Sequence, residues 1–183
     1  MNNARTALKV INQPNVNIPE FEFDDYIPLV VRWPITGKSR PFYWWSANDS
    51  KGNFLEIGLS AENGVVCEIT LTSIATFSPL LTSFDDRAKE VIYGRPVCDL
   101  TDWPPDCDGD GPSRFKRENI NFQVQIGVDK IVVRFAEYEL PHVGYITGNV
   151  VFNVAPNGNL CSIEFNLIEK KNMKRITDMI ERI

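Results

Sequence analysis

The sequence has a single histidine, His142, and four cysteines among 183 residues. So few histidines and cysteines argue against a structural zinc site, which usually takes four histidine or cysteine ligands at short spacings. A glycine-rich phosphate-binding loop and a G-x-S-x-G nucleophile motif are also absent from the sequence. The usual motifs of zinc proteins, nucleotide-dependent enzymes and hydrolases are therefore missing, and we expect neither a cofactor nor a catalytic function.

Long apolar runs are absent as well. No stretch approaches the roughly 20 residues that cross a bilayer as a helix, and the N-terminus lacks a continuous apolar region before a cleavage site. We therefore expect a soluble, cytoplasmic protein with reduced thiols. Nineteen basic residues against 24 acidic ones give a net charge of −5, and the basic residues are not segregated. We expect neither a membrane nor a nucleic acid as a partner.

What the sequence does contain is strand-like alternation. Apolar and polar residues alternate along residues 120–126, the pattern of a half-buried strand. Comparable patterns predict seven more strands, at residues 27–33, 42–47, 54–59, 65–73, 131–138, 148–154 and 160–168. Residues 83–93 are consistent with a short helix. Residues 170–183 space their apolar side chains as in an amphipathic helix that packs on the sheet.

Two hairpins contain the same sequence signal. Each has an Asn-Gly dipeptide, ending at Gly64 and Gly158, which favours a tight turn. Each turn is followed by a Cys-x-Ile-x-apolar run that begins at Cys67 or Cys161. We predict one α+β domain over residues 1–183: a predominantly antiparallel sheet of about eight strands with a C-terminal helix. A duplicated β-unit is consistent with this pattern, with residues 27–93 and 119–183 joined by a long acidic loop at 94–118.

Two acidic, aromatic segments are the candidate binding residues. In the loop they are Asp99, Asp102, Trp103, Asp106, Asp108 and Asp110, and near the N-terminus they are Glu22, Asp24 and Asp25, beside Tyr26. Carboxylates steer a basic protein partner, and an aromatic ring can anchor the contact. The alternative is that the charges only solvate loops while the rings pack in the core.

Other groups of residues give weaker indications of a metal site, a disulfide or a catalytic base. Asp106, Asp108 and Asp110 match the start of a calcium-binding loop, but Arg117 replaces the bidentate glutamate, so we predict no metal site. The spacing of Cys98 and Cys107 permits a disulfide between them. His142 could act as a general base with Glu137 or Glu139, although a surface-turn histidine is the simpler interpretation.

Two stretches carry a family resemblance: FLEIGLSAENGVVCEITLTSI at residues 54–74 and GNVVFNVAPNGNLCSIEFNLIEKKNMKRITDMIERI at residues 148–183. They resemble the hairpin-plus-terminal-helix pattern of bacterial immunity proteins that neutralise polymorphic or contact-dependent growth-inhibition toxins. The resemblance implies blockade of a cognate toxin domain, commonly a nuclease. No functional residue is carried over from it.

Two functions of other classes remain open from the sequence. One is a small-ligand or carbohydrate-binding β-domain, in which tryptophans line a concave pocket. The four tryptophans are Trp33, Trp44, Trp45 and Trp103. The other is an enzyme whose site is assembled from scattered residues that include His142.

Overall fold

The computed structural model describes residues 8–12, 18–34, 43–80, 88–103, 114–135 and 140–181. These ranges contain fifteen β-strands and one α-helix. In chain order they are β1 (Val10–Asn12), β2 (Glu20–Glu22), β3 (Leu29–Arg32), β4 (Tyr43–Asn48), β5 (Phe54–Leu59), β6 (Val66–Ser73), β7 (Ser78–Pro79), β8 (Glu90–Tyr93), β9 (Val97–Cys98), β10 (Phe115–Asn119), β11 (Phe122–Ile126), β12 (Ile131–Phe135), β13 (Val143–Thr147), β14 (Val150–Val154), β15 (Leu160–Phe165) and α1 (Lys170–Ile180). The predicted mostly β fold with a C-terminal helix is confirmed, but the predicted number of eight strands is wrong.

Each of the eight predicted segments contains a strand, and the prediction missed seven others. Of these seven, β2, β7, β8 and β10 are edge strands of large sheets, and β1 and β9 pair only with each other. Edge strands bury little surface and depend on partners distant in sequence, so their local pattern is weak. The prediction of a helix at residues 83–93 is wrong for the part of that segment that the structure describes, because residues 90–93 form β8.

The strands form one small and two large sheets. The order is β10-β4-β5-β6-β3-β2 in the six-stranded sheet and β7-β11-β12-β15-β14-β13-β8 in the seven-stranded sheet. Most neighbours are antiparallel, but β10–β4, β7–β11 and β8–β13 are parallel, so the large sheets are mixed. The long loop predicted at 94–118 is also wrong in part, because it contains β9 and most of β10.

The two large sheets have a common plan. Strands β2-β3-β6-β5-β4-β10 of one sheet correspond in order and relative direction to β11-β12-β15-β14-β13-β8 of the other. Each sheet has an irregularity before the last residue of its β5 or β14 strand, at Leu59 or Val154. In each, the parallel edge strand comes from the segment between the two sets of strands. This correspondence agrees with duplication of a β-unit, which itself stays a prediction.

The large sheets pack face to face around one apolar core. The Trp33 ring lies 6.1 Å from the Phe152 ring, and the Trp45 ring lies 5.9 Å from the Phe135 ring, edge-on. Trp33 Nε1 also donates a hydrogen bond of 2.9 Å to Thr147 Oγ1 of the opposite sheet. Large rings from each sheet therefore fill the space between the two.

The C-terminal helix closes one end of this arrangement. Met173 and Ile176 of α1 are buried and belong to the core, as the amphipathic pattern predicted. Ile168, just before the helix, donates its N–H to Asp129 O in the β11–β12 turn at 2.9 Å. Among the described residues, no helix has the length and apolar character needed to cross a membrane.

Candidate functional site

The N-terminal acidic segment lies on an edge of the six-stranded sheet. Glu20 and Glu22 are exposed on the edge strand β2, with Phe21 between them half-buried against the core. The period-2 geometry of a strand explains this alternation, which sends successive side chains to opposite faces. Two carboxylates are thereby presented on one exposed face of the sheet.

Asp24 organises the turn that follows β2. Its Oδ1 accepts hydrogen bonds from the N–H groups of Tyr26 at 2.6 Å and Ile27 at 3.3 Å. These backbone bonds favour the carboxylate and hold the pKa of Asp24 below its ordinary value. The Tyr26 side chain, on the turn that Asp24 fixes, is 89% exposed. The structure therefore presents an exposed aromatic ring on a hydrogen-bonded turn.

Two arginines order the neighbouring carboxylates. Arg32 forms ion pairs with Glu22 and Glu68, the latter at 2.9 Å, and the bond to Glu22 contributes most to raising the pKa of Arg32. Arg175 of α1 contacts Asp25 at 2.7 Å and donates a bond of 3.0 Å to Phe23 O. Exposed pairs of this kind contribute little to stability, but they restrict where the carboxylates point.

The β2 acidic turn is our name for Glu20, Glu22, Asp24, Asp25 and Tyr26. Its four carboxylates outnumber the two guanidinium groups that pair with them, those of Arg32 and Arg175. The sequence pattern predicted the acidic residues and the tyrosine. It missed Arg32 and Arg175, because both pairings depend on chain segments that only the fold brings together.

The described part of the second acidic segment, residues 99–103, is held by hydrogen bonds and ring packing. Asp99 Oδ1 accepts bonds from Thr101 N–H at 2.9 Å and Thr101 Oγ1 at 2.6 Å, and these lower the pKa of Asp99. Asp102 is exposed, whereas Trp103 is only 7% exposed and its ring lies 5.1 Å from that of Tyr43. Trp103 is therefore not an exposed anchor, and the alternative interpretation of a ring packed in the core is correct for it.

The two acidic segments lie at opposite ends of the six-stranded sheet. Cys98 N–H bonds to Gly64 O beside the start of β6, which places Asp99 at that end. Leu29, which follows the β2 acidic turn, pairs with Leu71 near the other end of β6. At about 3.3 Å per residue, the separation along β6 is roughly 20 Å. The predicted residues therefore form two separate surfaces, and Asp106, Asp108 and Asp110, with their weak calcium pattern, lie outside the described residues.

Three of the four tryptophans are buried. Trp33, Trp45 and Trp103 pack in ring-to-ring contacts, and Trp44 is half-buried. Three surface grooves lined by described residues have no tryptophan in their lining. The structure therefore places Trp33, Trp45 and Trp103 in the core.

His142 lies beside a carboxylate that the sequence analysis did not name. Its Nε2 lies 3.6 Å from Glu90 Oε1, and both side chains are well exposed. Glu137 and Glu139, the carboxylates predicted to orient it, lie outside the described ranges. The described chain contains no group of three or more potential metal ligands. Cys67, Cys98 and Cys161 are buried and form no disulfide with one another, and burial raises the pKa of Cys98 to about 12.

Comparison with known proteins adds no assignment. No known protein family matches the sequence, and a search of curated proteins finds no similar chain.

Proposed function

We propose that this protein is an immunity-type inhibitor that binds a cognate toxin domain in the cytoplasm and blocks it without catalysis. The observation that carries the proposal is Tyr26, an exposed ring on a turn fixed by Asp24, directly after Asp24 and Asp25 in the sequence. Tyrosine is enriched among the residues that dominate binding energy. A ring whose backbone is already ordered loses less entropy on binding than one on a flexible loop.

The charge of the β2 acidic turn favours a basic partner. A nuclease holds phosphates in a positively charged groove, and an acidic inhibitor can occupy such a groove. The carboxylates of Glu22 and Asp25 keep their positions through Arg32 and Arg175, so they need little reorganisation when a partner approaches. The proposed toxin is therefore basic at its contact surface, and a nuclease is the class that fits best.

Co-expression tests this function. The proposal expects a toxin encoded by the reading frame directly upstream, and the assay is growth of cells that express the product of that frame together with this protein. We expect rescue by the wild type and by Tyr93→Ala, which removes an exposed tyrosine from β8 in the other sheet. We expect loss of rescue for Tyr26→Ala combined with Glu22→Gln and Asp25→Asn.

Different outcomes would contradict the immunity function and the assignment of its binding surface. If the upstream product is harmless, or if the wild type does not rescue growth, the immunity function is wrong. If the triple variant is folded by circular dichroism and rescues as well as the wild type, the function stands but the β2 acidic turn is not its binding surface.

A further inference from the structure

A second surface of opposite charge lies between α1 and the β11–β12 turn. It is a groove of about 550 Å³, which we name the lysine groove. Its lining residues are Ile126, Gly127, Lys170, Lys171, Met173, Lys174 and Thr177. Three lysines and no carboxylate are among these described lining residues, although the whole chain carries a net charge of −5.

The lysines are placed to receive negative charge. Lys170, Lys171 and Lys174 are all exposed on the first turns of α1. Lys171 contacts the exposed Glu169 at 2.8 Å, while Lys170 and Lys174 have no ion-pair partner within the described part of the chain. Asp25 and Asp178 line a neighbouring groove on the other side of Lys171 and Lys174. Lys170 and Lys174 are therefore exposed cations without a close ion pair in the described part of the chain, with Asp25 and Asp178 on the far side of Lys174.

The groove is also apolar at its base. Met173 is 5% exposed and Ile126 is half-buried, so they form an apolar lining between the lysines. Along the chain from the lining residues, Val128 follows Gly127 and is 85% exposed, and Leu167, three residues before Lys170, is 70% exposed. Leu167 has a φ of 57°, a left-handed conformation that is uncommon for a leucine and costs energy. Two apolar side chains thus face solvent where a partner could cover them.

We infer that the lysine groove binds an acidic, amphipathic segment of a partner protein. Carboxylates of such a segment would meet Lys170 and Lys174, and its apolar side chains would cover Ile126, Met173, Val128 and Leu167. A helix laid in a groove is a common mode of this kind. A groove of about 550 Å³ can admit side chains of a peptide segment. The inference is independent of the proposed function, which concerns other residues and a basic partner.

A defined peptide tests the inference. The probe is a fluorescein-labelled peptide of about 14 residues with glutamate and leucine at amphipathic helical spacing, followed by fluorescence anisotropy on the full chain. We expect saturable binding that weakens as salt rises, because the contact is partly electrostatic. A matched peptide with lysine in place of each glutamate, and vesicles of phosphatidylglycerol and phosphatidylcholine, should not bind.

Variants locate the contact. Lys170→Gln with Lys174→Gln should weaken peptide binding by about tenfold, while Lys89→Gln, an exposed lysine before β8, should leave it unchanged. Thr177→Trp should block the groove without changing charge and so weaken peptide binding. Thr177→Val, which is close in size to threonine, should leave peptide binding unchanged. Circular dichroism checks that each variant is folded.

Four results would overturn the inference. They are no saturable binding up to about 1 mM peptide, equal binding of the lysine peptide, binding of the vesicles without the peptide, or folded Thr177→Trp that binds like the wild type. The last would show a charged surface rather than a groove.

Discussion

Gly64 and Gly158 occupy equivalent turns of the two large sheets. Each has a positive φ, 71° and 87°, and each accepts a backbone hydrogen bond at its carbonyl oxygen. The donors are Cys98 N–H at 2.8 Å and Val10 N–H at 2.9 Å. Since Val10 and Cys98 pair with each other in the β1–β9 sheet, that small sheet links both turns.

The two glycines should differ in their tolerance of a side chain. A Cβ at Gly64 would lie 2.2 Å from Cys98 O, whereas a Cβ at Gly158 would lie 3.1 Å from Val10 O. We expect Gly64→Ala to lower the free energy of unfolding by about 2–4 kcal/mol and Gly158→Ala by about 1–2 kcal/mol. Denaturant unfolding measures both. Equal losses would show that the close approach of Cys98 does not constrain the first turn.

These turns are a part of the fold that the local sequence pattern could predict. Asn63 Oδ1 accepts a bond from Val65 N–H, and Asn157 Oδ1 accepts one from Asn159 N–H, at 3.2 and 3.0 Å. The thiols of Cys67 and Cys161 likewise donate to the carbonyl two residues earlier. The shared Asn-Gly and cysteine pattern thus reflects shared local geometry, which short-range chemistry determines.

Long-range features could not be predicted in this way. The parallel edge strands β8 and β10 are held by β13 and β4, far away in sequence. Trp103 is buried because Tyr43 packs against it, and Arg175 meets Asp25 across 150 residues. The local sequence pattern contains no information about partners that are distant in sequence. The edge strands and the residues of the candidate site could therefore be identified only from the three-dimensional structure.

The two core tryptophans offer a matched comparison. Trp33 Nε1 donates to Thr147 Oγ1, whereas Trp45 Nε1 is buried without a hydrogen-bond partner among the described residues. Trp33→Phe loses a satisfied bond, while Trp45→Phe removes an orphan donor. We therefore expect Trp33→Phe to be more destabilising, by about 1–2 kcal/mol in the free energy of unfolding. The reverse order in chemical denaturation would contradict this hydrogen-bond pattern.

The buried thiol of Cys98 should be unreactive in the folded protein. Burial, with a smaller effect of the Asp99 charge, raises its pKa to about 12, so it stays protonated at pH 8. The thiolate is the reactive form. We expect peptide mapping to find Cys98 unmodified by iodoacetamide at pH 8 and modified once the chain is unfolded. Rapid alkylation in the native state would contradict its buried position.

The β2 acidic turn should loosen in acid. Because the pKa of Asp24 is lowered by its bonds to Tyr26 and Ile27, the contribution of the carboxylate is fully present above its unfolded pKa. It is lost as pH falls through the lowered folded value, below the ordinary 3.8. We expect the Tyr26 amide resonance to titrate in that window. In Asp24→Asn, which keeps an acceptor but does not ionise, that titration should be absent; if it persists, another group controls the turn.

Calorimetric titration with the purified product of the reading frame directly upstream, the proposed toxin, tests the central claim most directly. We expect Tyr26→Ala to weaken binding about 30-fold, the roughly 2 kcal/mol of an interface hot spot, and Tyr93→Ala to leave affinity unchanged. Glu22→Gln with Asp25→Asn should weaken the affinity and reduce its salt dependence. Binding that is absent, or that is indifferent to Tyr26 and to these carboxylates, would contradict the account.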